Sequence, residues 1–223
     1  MKNTLNSYLL TLLLVGVTNT QAADKKETTP DFQLRLPVHI QYVGLYTNHV
    51  GRFGLAAWNI FSDVTHEDDP TATFSILGPL WQYDKKGSWF EIMGGVRRGE
   101  DGYVDPAIDI RLHDRTLSWI HITAELAYFP REERRRLYGY LAVDTPIRLG
   151  TYQMSVGFES ENIISYSGKE DSFGIGPRLV LPIPWIKKIS PSLSSSFTLA
   201  YQHRNDRDFV RCYLGCMYVF GKK

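Results

Sequence analysis

Charged side chains at every second position are the feature of this sequence that could do chemistry. Between Tyr103 and Phe129, Asp109, Arg111 and His113 alternate with apolar residues, and the alternation resumes at His121 and Glu125. A period of two places such residues on one face of a β-strand. Carboxylates and guanidinium groups that share a face can pair with one another or select solutes by charge. The stretch therefore predicts two strands, each with one apolar and one charged face.

The same parity in the other strands collects a larger polar set. If these faces point into a barrel, its lumen contains Glu91, Arg97, Asp109, Arg111, His113, His121, Glu125, Glu159, Glu161, Arg178, Arg204 and Arg211. One interpretation is a constriction that selects solutes by charge. The other is a cross-strand network of salt bridges that fills a closed interior. Both remain open, because a barrel of ten or twelve strands lies between the filled eight-stranded kind and the open sixteen-stranded kind.

Enzymatic chemistry has weaker support. None of the six histidines (His39, His49, His66, His113, His121 and His203) lies in a local motif with serine, so we predict no catalytic residue. The spacing of the two cysteines and the histidines matches no metal site. The acidic run at Glu67–Asp69 lacks the spacing and the glycine of a calcium loop. Gly174 and Gly176 lie inside a strand pattern and form no phosphate-binding loop. We therefore predict no metal and no cofactor.

The elements that position the polar set are strands. Alternating segments separated by short polar breaks predict Phe32–Pro37, His39–Thr47, Phe53–Phe61, Thr71–Tyr83, Ser88–Arg98, Tyr103–His113, Leu117–Phe129, Arg135–Asp144, Thr151–Glu161, Ser172–Pro182, Leu193–Arg204 and Phe209–Phe220. Most of them have the ~9–11 residues that a tilted strand needs to cross a bilayer, more than the ~5–6 of soluble strands. The fold class is therefore all-β, an antiparallel up-and-down barrel with twelve strands, or ten as the alternative.

The N-terminus predicts export. A basic residue at Lys2, an apolar run over Tyr8–Val17 and small residues at Ala22 and Ala23 form a secretory signal peptide over residues 1–22. A polar tail over residues 23–30 and one barrel domain over residues 31–223 follow. The 25 basic and 24 acidic residues nearly balance, which gives no electrostatic case for nucleic acid.

Alternation alone does not say which face points inward. A soluble barrel of the lipocalin type would put its apolar face inside. Strand length, aromatic residues near strand ends and small residues among the charges favour the inverted arrangement of a membrane barrel. Ser194, Ser196 and Thr198 in one strand, and Ser155 and Gly157 in another, are examples of such small residues. We therefore expect the apolar faces to point outward.

The mature chain resembles bacterial outer-membrane β-barrel proteins as a class. The resemblance is carried by the strand succession and by the final strand Phe209–Phe220, which alternates, is rich in aromatics and ends in Phe220. It implies an outer-membrane location in a Gram-negative bacterium, contact with outer-membrane lipids and lipopolysaccharide, and insertion by the barrel assembly machinery. It implies no catalytic residue.

The function expected on this basis is a small passive channel for polar or charged solutes. The first alternative is a closed structural or surface-interaction barrel that acts through loops at Ser62–Pro70, Pro130–Arg134 and Asn162–Asp171. The second is a lipid-modifying enzyme of the outer membrane. The charge run Arg131–Arg136 is interpreted first as a solvated loop and second as a grip on lipid phosphates.

Overall fold

Strands make up almost the whole described structure. The computed structural model describes residues 13–14, 32–35, 38–48, 51–62, 72–84, 86–99, 102–168, 170–190, 192–205 and 207–220. Its strands are β1 (Leu13–Leu14), β2 (Phe32–Arg35), β3 (Val38–Asn48), β4 (Gly51–Ser62), β5 (Ala72–Gln82), β6 (Trp89–Arg98), β7 (Val104–Asp114), β8 (His121–Phe129), β9 (Arg136–Leu149), β10 (Tyr152–Ser165), β11 (Ser172–Pro182), β12 (Leu193–Arg204) and β13 (Arg207–Phe220). Two short 3-10 helices cover Glu132–Arg134 and Pro184–Lys188. Within these ranges no helix has the length and apolarity to cross a membrane.

The strands form one up-and-down sheet. Ten successive strands, β4 to β13, each pair antiparallel with the next along the chain, and β3 pairs antiparallel with β4. The all-β, antiparallel, up-and-down prediction is confirmed. Strand β13 also has short parallel pairings with β2 and β3 and an antiparallel one with β1. These pairings do not make a closed antiparallel barrel, so closure and the twelve strands stay predictions, as does the signal peptide, of which only Leu13–Leu14 is described.

Several predicted boundaries shift. Strand β8 begins at His121 and not at Leu117, because residues 115–120 form the preceding turn. Strand β9 runs on to Leu149, so its connection to β10 is a two-residue turn. Strand β10 runs on to Ser165, so the loop predicted at Asn162–Asp171 shortens to residues 166–171. Pro146 lies in the extension of β9, beyond the start of β8, where β9 has β10 as its one partner, and a proline is tolerated at such an edge.

The two faces of the sheet are opposite in polarity, and the polar face is the buried one. Along β7 the acidic residues Asp105 and Asp109 are buried, whereas Val104 and Ile108 are exposed. Ile108 retains 54% of its accessible surface while Asp109 retains none. The same inversion holds in β10, where Phe158 is 64% exposed beside a buried Glu159. The predicted orientation, apolar side chains outward and charges inward, is therefore seen in the side-chain burial.

An apolar cluster shares the buried face with the charges. It is confined to β4–β8 and consists of Ala56, Trp58, Phe74, Ile76, Leu80, Trp89, Met93, Ala107, Ala127 and Phe129. The rings of Phe74 and Phe129 lie 5.6 Å apart at a tilted angle, a favourable aromatic geometry. The buried face of β4–β8 is therefore packed largely by apolar side chains, whereas that of β9–β13 is polar.

The connection between β5 and β6 is fixed by side chains of the turn itself. Asp84 accepts hydrogen bonds from the backbone N–H of Ser88 at 2.7 Å and from its hydroxyl at 2.6 Å. The Tyr83 hydroxyl donates to a carboxylate oxygen of Asp114 at 2.8 Å, which links this turn to the next one at the same end of the sheet. Burial, and then this hydrogen bond, raise the pKa of the Tyr83 hydroxyl.

Candidate functional site

Strand register places the first group of charges in one row. Glu91, Arg111 and Glu125 oppose one another across β6, β7 and β8. A guanidinium between two carboxylates makes a favourable cross-strand row. Arg111 bonds Asp109 and Glu125 at 2.9 Å each. Its guanidinium carbon also lies 4.2 Å from the ring centroid of Trp58, which adds a cation–π contact.

Glu91 is tied to the same group from the other side. The indole Nε1 of Trp58 donates a hydrogen bond to Glu91 Oε2 at 2.9 Å. Glu91 and Asp109 have no accessible surface, so both carboxylates depend on protein partners. Trp58 therefore serves the network twice, as a hydrogen-bond donor and as the aromatic surface beneath Arg111.

The second group of charges occupies three successive rows of β9–β13. One row contains Asp144, Gly157, Arg178, Ala200 and Arg211 in order across the strands. Large charged residues thus alternate with small ones. Side chains on the inside of a curved sheet converge, and a small neighbour leaves each long side chain the space to extend.

The next two rows follow the same rule around glutamates. Glu161 lies between Tyr140 and Gly174, with Arg204 beyond the glycine. In the other row, Gly176 opposes Glu159. Every one of these charged groups therefore has a small residue beside it.

Two glycines of these rows are sterically required. A methyl group on Gly157 would lie 2.0 Å from the carbonyl oxygen of Val143, and one on Gly176 would lie 1.8 Å from the carbonyl oxygen of Tyr201. Neighbouring backbones therefore approach more closely at these points than any side chain permits. The sequence had placed Gly176 inside a strand, and the structure shows a close approach of two backbones there, in the row that contains Glu159.

Glu159 is the centre of the second group. Its carboxylate accepts hydrogen bonds from Gln202 at 2.7 Å, from Tyr140 at 3.0 Å and from Arg178 and Arg211 at 3.4 Å each. Four donors around one fully buried carboxylate satisfy its oxygens with partners from the protein.

Glu161 and Arg178 extend this group. Glu161 accepts from the Tyr138 hydroxyl at 2.8 Å, pairs with Arg211 at 3.0 Å and also pairs with Arg204. Arg178 pairs with Asp144 at 3.1 Å. The second group is therefore one connected set of three guanidinium groups, three carboxylates and three neutral donors.

These contacts span distances that a flat sheet does not allow. Arg211 on β13 and Glu161 on β10 are three strand pairings apart, which corresponds to about 14 Å across a flat sheet. Their side chains nevertheless meet at 3.0 Å. Trp58 on β4 and Arg111 on β7 are also three pairings apart and in contact. The sheet is therefore strongly curved in both halves, with the polar face on the concave side.

A third group closes one end of the concave face. The guanidinium carbon of Arg134 lies 3.6 Å from the ring centroid of Tyr103, and Arg97 donates to the Tyr103 hydroxyl. Asp105, which is buried, is reached by Arg131 at 3.4 Å and by Arg134 at 3.9 Å. The charge run that the sequence indicated as a solvated loop therefore anchors two of its arginines on the interior.

The predicted lumen residues are brought together in most cases. Buried or half-buried positions on the concave face are occupied by Glu91, Arg97, Asp109, Arg111, His113, His121, Glu125, Glu159, Glu161, Arg178, Arg204 and Arg211. His113 stands apart from the ion pairs: its Nδ1 contacts Thr123 Oγ1 at 2.9 Å and its ring stacks on Trp89. His121 opposes Asp144 in register at the start of β8.

Sequence reasoning missed four partners: Trp58, Tyr138, Tyr140 and Asp144. Register is the signal that could have found two of them, since Tyr140 opposes Glu125 and Glu161, and Asp144 opposes His121. Tyr138 shares the parity of Tyr140, whereas Trp58 has no predicted lumen residue in its strand or opposite it. Aromatic residues had been assigned to membrane interfaces as a class, and Trp58 is instead buried in the interior.

A hydrogen-bonded histidine on the outer face was also missed. His203 Nδ1 lies 2.8 Å from Asp208, which also accepts a hydrogen bond from the Tyr201 hydroxyl at 2.7 Å. His203 is exposed. Over the described part of the chain no group of histidine, cysteine and acidic residues has the arrangement of a metal site.

Comparison with known proteins adds no relative. No protein-family model, no curated protein and no solved structure matches the chain.

Proposed function

We propose that the chain is a β-barrel of a bacterial outer membrane. The carrying observation is the inverted burial of its sheet, with charged groups buried on the concave side and large apolar groups exposed on the convex side. Leu77, Ile108 and Ile175 are each more than half exposed. In water such a continuous apolar surface would be a liability, whereas in lipid it is the expected outer surface of a barrel.

Strand length agrees with this location. Strands β4–β13 have 9 to 14 residues, as crossing the hydrocarbon core at a tilt requires. A membrane-embedded sheet must also satisfy every backbone hydrogen bond, which an open edge does not. The strong curvature and the shared buried interior support closure of the sheet into a barrel.

The pairings of the first and last strands supply a geometry for closure. Phe32 of β2 pairs with Asp208, and Gln41 of β3 pairs with Met217. Both pairs have the same offset in residue number, so β2 and β3 follow β13 in one continuous parallel register. Closing the sheet at this contact gives a strand count between the ten and the twelve that the sequence predicts.

Burial of the charged networks favours a closed interior over an open pore. A water-filled lumen leaves its charged lining accessible, yet Glu91, Asp109 and Glu159 have almost no accessible surface. These carboxylates are hydrogen-bonded or paired to other side chains, as Glu91 is to Trp58 and Asp109 is to Arg111. We therefore favour the structural or surface-interaction barrel, which acts through its ends, as the function of this chain.

A passive channel is the second candidate, and one observation favours it. The concave side chains His121 and Thr123 at the start of β8 are half-buried, in contrast to the buried Asp109 and Glu159 further along the strands. A vestibule at that end would lead to the ion-pair networks around Arg111 and Arg178. A conducting state would have to break ion pairs of these networks.

Planar-bilayer conductance of the refolded mature chain separates the two candidates. Folding is confirmed beforehand by altered gel mobility on heating. The closed barrel predicts no discrete current steps. Reproducible charge-selective steps, with an ion preference changed by Arg111→Ala or Arg178→Ala, would establish the channel in its place. A chain that stays soluble and folded without detergent would refute the membrane barrel itself.

A further inference from the structure

We propose that the outward face of β8–β10 binds the phosphate headgroup of an anionic lipid, with Arg135 as its cationic ligand. This inference rests on the membrane location proposed above. It assigns a ligand to a cleft of about 390 Å³ lined by Tyr128, Arg135 and Tyr166.

Arg135 differs from its neighbours in the same charge run. Arg131 and Arg134 turn inward to Asp105, whereas Arg135 is exposed and packs its guanidinium over the ring of Tyr166 at 5.9 Å. Among the described residues no carboxylate pairs with Arg135. A planar guanidinium that carries its full charge and is held over an aromatic ring is well suited to a phosphate group.

Register places the cleft at the end of the outward face. The backbone N–H of Tyr166 donates to the carbonyl oxygen of Arg135 at 2.8 Å, so these two residues are cross-strand neighbours. Tyr128 opposes Leu137, which opposes Ile164, one step further into the sheet. Tyrosines beside an arginine at the boundary of an apolar face form an interfacial arrangement: hydroxyl groups toward the headgroup and rings toward the acyl region.

The surface below the cleft has one further feature that fits a lipid. Gly139 leaves open space, since no atom lies within 4 Å of where its side chain would begin. It is flanked in register by Leu126 and Asn162.

Gly139 lies four residues from Arg135, about 13 Å along the strand. A lipid whose phosphate occupies the cleft would therefore lay its acyl chains over the open space at Gly139.

The test measures retention of dimyristoyl phosphatidylglycerol by the detergent-folded mature chain in native mass spectrometry. Arg135→Gln is expected to lower the bound fraction about tenfold. The matched control is Arg98→Gln. Arg98 is an exposed arginine of β6 that lies at the same end of the sheet as Arg135. Arg98→Gln should leave retention unchanged.

Two further arms identify the ligand. Dimyristoyl phosphatidylcholine, which has the same acyl chains and no net charge, should be retained poorly and without dependence on Arg135. Inorganic phosphate in large excess should not displace phosphatidylglycerol; displacement would assign the cleft to free phosphate and overturn the lipid proposal. Equal losses in Arg135→Gln and Arg98→Gln, or no loss in either, would also overturn it.

A failure of the membrane proposal can be distinguished from a failure of the lipid site. A wild-type chain that folds without detergent and shows no heat-dependent gel shift would remove the premise. A chain that folds in detergent and retains phosphatidylglycerol independently of Arg135 would refute the lipid site alone.

Discussion

The guanidinium of Arg111 lies 4.2 Å from the ring centroid of Trp58, although three strand pairings separate β7 from β4. The same indole donates to Glu91, and Glu91 opposes Arg111 in the ladder. Three side chains from three strands thus close a small circuit on the concave face. The circuit places charged groups within the largely apolar half built from β4–β8, and it depends on the curvature of the sheet.

Arg111 is therefore expected to be a large contributor to stability. Arg111→Met leaves Asp109, Glu91 and Glu125 without their shared cation, and breaking a buried pair from one side typically costs ~3–5 kcal/mol. Urea-dependent unfolding in detergent or lipid vesicles measures the loss. Arg98→Met, at an exposed position of β6, is the control and should change the free energy of unfolding by less than ~0.5 kcal/mol. Equal effects of the two substitutions would contradict the buried circuit.

Gly157 is expected to be intolerant of even one methyl group. Gly157→Ala forces the added carbon against the carbonyl oxygen of Val143 and the carboxylate of Asp144, and overpacking of this kind costs ~1–3 kcal/mol. The matched control is Gly139→Ala, where the added carbon meets open space. Stability that falls for Gly139→Ala and not for Gly157→Ala would refute the close approach of β9 and β10 on the concave side.

Ile108 is expected to face the hydrocarbon core. Ile108→Arg places a charge on the convex face and should destabilise the bilayer-inserted state by ~2–4 kcal/mol if the site lies near the midplane. Leu117→Arg is the control, because Leu117 is similarly exposed but lies in the turn before β8. Unfolding from vesicles gives both values. A chain that accepts arginine equally well at both positions would be one whose convex face meets water.

Sequence periodicity predicts the faces of the sheet well, because the parity of a strand is a local property. Asp105, Asp109 and Arg111 share one face on that ground alone, and the structure buries all three. Strand length and composition indicated that the apolar face points outward, and the burial of the side chains agrees. Strands β4–β13 and most of their bounds could be predicted from the sequence for the same reason.

Partners across several strands could not be predicted. The contact of Arg211 with Glu161 depends on the curvature that accumulates over β10–β13, and curvature is set by many residues together. The glycines carried part of that information, because Gly157 and Gly176 mark where two backbones approach. The sequence prediction ended this strand at Asp144, whereas β9 runs on to Leu149 because it continues to pair with β10 past the start of β8.

The most direct test of the membrane barrel is the accessibility of alternate residues along β7. Single cysteines at 104, 108 and 110 and at 105 and 109, introduced after replacement of Cys212 and Cys216, are spin-labelled in the refolded, vesicle-inserted chain. Lipid-dissolved oxygen should broaden the labels at 104, 108 and 110 strongly and those at 105 and 109 weakly. Labels at 104, 108 and 110 that respond instead to a water-soluble relaxation agent would contradict the barrel, because the apolar face would then be a solvated surface.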